Sequence, residues 1–248
     1  MVNTNWRDRN LGVMRLEIQW VTVESGKVFV GSNNRSVLFG GIGPRHEVKI
    51  DYNFEISFLP VDSETAEILL QQKDCYIASE SEWSLAMENN LISGENQVEE
   101  LSDRILGSYW SKYCDGRPFI QSNWLMKVSR TWRQGIPSIS SIRKGERSEY
   151  LRLVKRPGIE YDDSTAPKLP DSTDKSRILI EELSISLIIG IIPSFIWANF
   201  NASPGYISEG WLNLVFGGLF IGVFTIIFWR PRTKSWKVGK NCGKMKVI

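Results

Sequence analysis

Reactive side chains are scarce in this chain. A single histidine, His46, and three cysteines, Cys75, Cys114 and Cys242, are all that its 248 residues provide of the commonest transition-metal ligands. One imidazole cannot build a facial triad, which takes two histidines and a carboxylate, so a structural role is expected for His46. Three thiols, one of them near the C-terminus, do not form a disulfide framework and are expected to be reduced, as in a reducing compartment. Cys75 and Cys114 remain an alternative metal pair on which spacing is silent. No sign of charge dominates, with 30 basic and 28 acidic residues. Seven Lys/Arg lie after residue 229, and residues 1–177 hold 23 basic against 25 acidic side chains. A nucleic-acid binder carries its positive charge on the folded domain, so that class is excluded. Residues 1–10 lack an apolar core, so no signal peptide is expected there.

Two stretches lack charge altogether. Leu183–Phe200 is eighteen residues long and Gly210–Trp229 is twenty; as helices they measure about 27 and 30 Å, the thickness of a bilayer's hydrocarbon layer. Trp197, Trp211 and Trp229 lie near their ends, where interfacial indoles belong, with Arg230 and Arg232 just beyond. The connecting segment Asn201–Glu209 has no basic residue, while Lys175 and Arg177 precede the first span and the basic tail follows the second. The expected arrangement is a two-span hairpin in the cell membrane with both termini cytoplasmic. No ionisable residue sits mid-span, which excludes an ion pathway. Ser186 and Gly190, and Gly218 and Gly222, have the spacing that lets helices approach closely, either within the hairpin or between two copies through Gly218 and Gly222. Pro193 is expected to kink the first span.

Ahead of the hairpin, alternation predicts two strands over Arg15–Val30 turning at Ser25-Gly26, and one strand over His46–Phe58 with Val48, Ile50, Tyr52, Phe54, Ile56 and Phe58 on one face. Asp62 or Ser63 caps a short helix from Glu64 to about Gln72. Ser79 followed by Glu82 is a capping box, with Trp83, Leu85, Ala86 and Met87 starting the apolar face of the next helix. Residues 157–177, rich in Pro, Gly, Asp and Ser, read as a flexible linker. The division is thus a domain over 1–156, the linker, a hairpin over 178–230 and a basic tail over 231–248.

Several of these stretches carry a resemblance. Ser79-Glu-Ser-Glu-Trp83 is similar to the Thr-Glu-x-Glu-Trp helix of the formylglycine-generating enzyme, or sulfatase-modifying factor, family. Phe29-Val-Gly31-Ser32, Pro44-Arg-His46-Glu-Val48, Phe54-Glu-Ile56 with Pro60-Val61, Gly107-Ser-Tyr-Trp110, Val128-Ser-Arg130-Thr-Trp132 and Tyr150-Leu-Arg152-Leu-Val154 resemble further family segments in the same order. The resemblance covers about residues 14–156. It implies an α+β fold, the irregular C-type-lectin-like domain of that family, here followed by two transmembrane α-helices. In such a domain Trp20, Trp83, Trp110, Trp124 and Trp132 fill the core; an aromatic ligand cage is the alternative.

The family's oxidase chemistry, as the resemblance implies it, uses two cysteines near the end of the domain to hold Cu(I). Here the matching stretch, between Trp132 and Leu153, has serines and no cysteine, so copper is not expected. A calcium site is implied by the resemblance alone, and Ser108 replaces the usual Asn. Glu80, Glu82, Glu99, Glu100 and Asp103 show no paired pattern and are expected on the solvated surface. The expected function is a membrane-anchored, cytoplasm-facing binding or scaffolding module that recognises an unknown protein or peptide. The alternative is a metal-dependent oxidase with a non-standard site. The candidate surface is the loop-rich side of Ser108–Trp124 and Trp132–Ser141, with Trp110, Trp124, Trp132, Arg130 and Arg143 as its contact residues.

Overall fold

The computed structural model describes residues 18–36, 38, 40–239 and 245–248. Residues 1–17, which include the start of the expected first strand and the stretch read for a signal peptide, lie outside the described residues, as does Cys242. The described chain is a mixed α+β domain followed by two long apolar helices.

Strands β1 (Trp20–Val23) and β2 (Gly26–Val30) turn where expected, but they do not pair with each other. The single strand expected over 46–58 is two, β3 (His46–Ile50) and β4 (Phe54–Ser57). β2 pairs with β3 in one sheet and β1 with β4 in another, so the alternating run must bend at Asp51–Asn53 to serve both. Asn53 pins the two corners together by accepting the Ser25 backbone N–H at 2.8 Å. The period-2 pattern still holds across the bend, since Val48, Ile50, Phe54 and Ile56 are all buried.

After β5 (Val61–Asp62), α1 (Ser63–Leu69) is capped by Asp62, whose carboxylate accepts from the Thr65 N–H. β6 (Cys75–Ile77) leads into α2 (Glu80–Glu88), where the capping box forms as read: Ser79 Oγ accepts the Glu82 N–H and Glu82 accepts the Ser79 N–H. β7 (Val98–Ile105), β8 (Met126–Arg133) and β9 (Ile136–Arg143) make an antiparallel meander. β10 (Tyr150–Leu151) joins its far side, giving the order β5-β10-β7-β8-β9. One residue later the chain enters β11 (Leu153–Lys155) in the sheet β1-β4-β11-β6. Arg152 is the residue at which the chain changes sheets. The main core lies beneath these sheets around Val48, Ile56, Trp83, Leu101 and Trp132, with a smaller cluster of Val61, Ala66, Cys75 and Leu153.

The segment read as a linker is extended but stapled down. Leu169 is buried in the main core, and the backbone N–H groups of Ser111 and Cys114 donate to the carbonyls of Pro170 and Pro167. A continuous helical run then spans residues 175–201: α3 (Lys175–Ile185), a π-helical stretch Ser186–Ile191, and α4 (Ile192–Asn201). Pro193 has no N–H for the carbonyl four residues earlier, and the wider π turn just before it accommodates its ring. The expected outer loop Asn201–Glu209 shrinks to Ala202-Ser203, because Ser203 caps and Pro204 opens α5 (Pro204–Phe228). Both helical runs are long and apolar enough to cross a membrane, and only 17% of each apolar window is buried. Phe200, Phe216 and Phe220 are among the most exposed large side chains, so the hairpin is not a core element of the domain. Inside the hairpin, a Cβ on Gly190 would collide with the Gly218 carbonyl, and one on Gly222 with Ser186. The small residues are therefore spent on contact between the two helices of one chain.

The tail is not a free basic segment. β12 (Trp236–Val238) pairs in parallel with β3 and antiparallel with β13 (Met245–Val247), completing the order β13-β12-β3-β2. Trp236 packs on the core and meets Trp110 edge-on at 6.3 Å. Since β12 and β3 are neighbours, the domain and the tail must lie on one side of any bilayer the hairpin crosses.

Candidate functional site

The five carboxylates expected on the solvated surface are all buried. Glu82 closes the capping box with one oxygen and accepts Tyr52 Oη at 2.8 Å and Arg156 Nη1 at 2.6 Å with the other. Glu80 accepts Arg130 Nη2 at 2.5 Å and the Tyr109 hydroxyl. Asp103 accepts the backbone N–H groups of Glu80 and Phe119 at 2.7 and 3.0 Å and faces Lys112 Nζ at 3.3 Å. Glu99 takes both indole N–H groups, Trp83 at 2.7 Å and Trp132 at 2.6 Å, while its second oxygen holds Arg152 Nε at 2.5 Å. Glu100 bridges Arg104 and Lys127 at 2.8 and 2.9 Å.

The correction has a physical cause. A buried charge is tolerated only when paired and hydrogen-bonded, and here each carboxylate meets a cation or an aligned donor from another element. Two of them also sit in the first turn of α2, where the helix dipole favours negative charge. Arg152 shows the same logic from the cationic side. It donates to the carbonyls of Ser57, Phe58 and Ser93, tying the end of β4 and the loop after α2 to the point where the chain changes sheets. Burial pushes the Glu80 carboxyl above its usual range, against the pull of Arg130 and Lys112. Held in this way, the carboxylates tie short elements to one another as a structural clamp.

His46, expected to be structural, is fully buried. Its Nδ1 donates to the Pro44 carbonyl at 2.8 Å, and its Nε2 has no partner among the described residues. Burial, with the Lys112 charge adding to it, lowers its pKa to about 3, so the ring is neutral. Cys75 sits in the small cluster and Cys114 in the main one. Burial raises both thiols, Cys114 up to about 12. Among the described residues no three His, Cys, Asp or Glu side chains are arranged to hold a metal ion. The thiols present do not fit the copper pair that the resemblance implies.

The proposed contact residues divide. Trp132 and Arg130 are core residues, 1% and 5% exposed, and are not on the surface. Trp110 is half-buried against Trp236, and Trp124 lies between Arg104 and Lys144, with the cations 5.7 and 4.8 Å from its ring. Arg143 is exposed on β9. An open groove of about 630 Å³, lined by Ser32, Asn34, Gly41, Met126, Ile139 and Ser141 among others, shares only residues 139–141 with the expected surface. One wall is the glycine-bearing loop after β2; the other is the β8–β9 hairpin.

β9 is an edge strand. Gln134 and Gly135, with φ of 51° and 79°, form the two-residue turn that joins it to β8, and Arg133 faces Ile136 across that turn. In such a hairpin the closing pair is hydrogen-bonded, so the backbone groups of residues 137, 139, 141 and 143 point away from β8. Pro137 removes the donor nearest the turn. Ile139, Ser141 and Arg143 keep theirs, and the first two border the groove. No sequence signal marked the groove itself, because its walls come from segments some hundred residues apart. The exposed Ile136 and Ile139, 71% and 51%, were the available hint at an open edge.

No protein-family model matches this chain, and comparisons with curated proteins and with solved structures find no match.

Proposed function

We propose that this chain is a membrane-anchored binding module, a divergent relative of the formylglycine-generating enzyme family without its metal chemistry, and that the groove beside β9 receives an extended polypeptide segment. The observation that carries the reading is the open half of the β9 edge. It offers outward backbone groups from Ile139 to Arg143 next to a groove, on a domain tied by its own C-terminal strands to a two-helix anchor. Adding a strand supplies main-chain hydrogen bonds, and the groove supplies side-chain selectivity. The resemblance over residues 14–156 supports the family assignment, and the separate, buried thiols support a role other than copper oxidation. The basic residues flanking the two spans favour placing the domain on the cytoplasmic side.

Photo-crosslinking from position 139 of the full chain in its native membrane tests the binding site. A discrete adduct is expected, and Ser141→Pro, which removes an outward N–H, should abolish it while leaving the fold intact. No adduct, or one indifferent to Ser141→Pro, overturns the site. Tight stoichiometric Cu(I) binding by the full chain, lost on Cys75→Ser or Cys114→Ser, would restore the oxidase alternative.

A further inference from the structure

A second cavity, distinct from the groove, lies where the domain meets the start of α3 and the chain leaving α5. It measures about 130 Å³, and its walls include Arg35, Arg177, Lys234, Trp110, Trp236 and Glu181. Arg35 Nη1 and Arg177 Nε share the single Glu181 carboxylate at 2.6 and 3.1 Å. Asp174 is occupied as the cap of α3, accepting the Arg177 N–H. The remaining guanidinium N–H groups, and Lys234 Nζ, make no hydrogen bond to the described residues. Three cations therefore face two carboxylates that are already engaged, and the surplus positive charge has donors to spare.

The height of the cavity identifies what fills it. Glu181, Ile178 and Arg177 precede Leu183, the first residue of the uncharged run, by two, five and six positions. Along a helix that is about 3 to 9 Å from the hydrocarbon edge. The headgroup layer on each side of a bilayer is roughly 5–8 Å deep. Trp110 and Trp236, edge-on to each other, line the same cavity, and amphipathic rings of this kind are favoured at a membrane interface. Arg35 is held at this height by its bond to Glu181 of α3, and its loop by the chain leaving α5, where the Thr233 N–H donates to the Asn33 carbonyl at 2.9 Å.

We propose that this cavity binds the phosphate of an anionic phospholipid headgroup, whose acyl chains remain in the leaflet beside α3. Arg35 and Arg177 donate to the phosphate oxygens from one side and Lys234 from the other, while the indoles exclude water. Guanidinium groups suit this role because their donors are arranged in a fixed fork. Such a lipid would join the domain loop, the first helix and the tail in one contact, fixing the orientation of the domain to the membrane. The site rests on the hairpin crossing a bilayer, and it does not depend on the groove beside β9.

Native mass spectrometry of the full chain released from nanodiscs of phosphatidylcholine with added phosphatidic acid reads the occupancy directly. The wild-type chain is expected to retain one phosphatidic acid. Arg177→Gln combined with Lys234→Gln should weaken retention about 30-fold, the factor that corresponds to about 1 kcal/mol for each basic residue. Lys237→Gln combined with Lys246→Gln removes the same charge from the tail strands and should change retention less than about 3-fold, under half of that energy. Equal losses in the two double variants, or no retained lipid in the wild type, overturn the site. Displacement of the lipid by millimolar inorganic phosphate overturns the lipid as its source. A full chain that stays soluble without detergent sinks the membrane anchor instead, a result distinguishable from all of these.

Discussion

The domain and the hairpin place their residues in opposite ways. In the domain, Glu99, Asp103, Lys112 and Arg152 are fully buried, and the largest fully buried side chains mix charged with aromatic groups. In the hairpin, Gly190, Gly218 and Gly222 are buried, while Phe200 and Phe220 are 80% and 73% exposed. The domain lacks long helices and closes its irregular core with ion pairs that reach from one short element to another. The hairpin needs no charge inside, since its backbone bonds are internal, and it gains from close contact of small residues. The two regions follow opposite rules of burial, and the change falls at the Arg35–Glu181 and Arg230–Glu182 pairs.

Breaking the domain's side of the contrast has the largest expected effect. Arg152→Met leaves Glu99 buried without its cation and takes the guanidinium donors from the carbonyls of Ser57, Phe58 and Ser93, of which Phe58 keeps the Ser93 N–H. A cost of about 3–5 kcal/mol is expected, enough to lose most folded protein. Denaturant unfolding of the full chain in detergent checks it, and a loss under about 1 kcal/mol would mean that the clamp is not load-sharing in this way.

On the hairpin side, Gly190→Leu forces the helices apart, because a Cβ there would sit 1.9 Å from the Gly218 carbonyl oxygen. Overpacking of this kind costs about 1–3 kcal/mol. Gly217→Leu, whose added Cβ meets nothing within 4 Å, is the matched control and should be silent. Crosslinking between cysteines placed across the two helices separates the outcomes; equal behaviour of the two variants would remove the close approach.

Near neutral pH the smallest effect is that of His46, which shows only as the medium is acidified. Its pKa falls from 6.5 in the unfolded chain to about 3 in the fold, so the unfolded state binds the proton first. Stability from this group is complete above pH 6.5 and is lost as pH falls toward 3, by up to about 1.4 kcal/mol per unit. Melting curves of the wild type and His46→Gln between pH 7 and pH 4.5 should diverge in slope; parallel curves would show that the ring is not held neutral.

Much of this contrast was legible before the fold. The uncharged stretches, the Ser79–Glu82 capping box and the alternating residues of 46–58 are local patterns, and each is found where local physics places it. The five buried carboxylates were not legible, because acidic residues on an exposed and on a buried face look alike in sequence. For Glu80, Glu82 and Glu99 what decides between the two is the arrival of Arg130, Arg156 and Arg152 from fifty or more positions away; Glu100 and Asp103 meet Lys127 and Lys112 at closer spacing.

By itself, the order of residues determined that there is a membrane-length hairpin, where the two domain helices begin and which faces are apolar, since these depend on spacing and on neighbours within a few positions. Only the tertiary structure decided that the alternating run bends between two sheets, that the tail returns to pair with β3, and that the carboxylates lie inside. Those outcomes depend on contacts between distant segments, whose energies no local pattern contains.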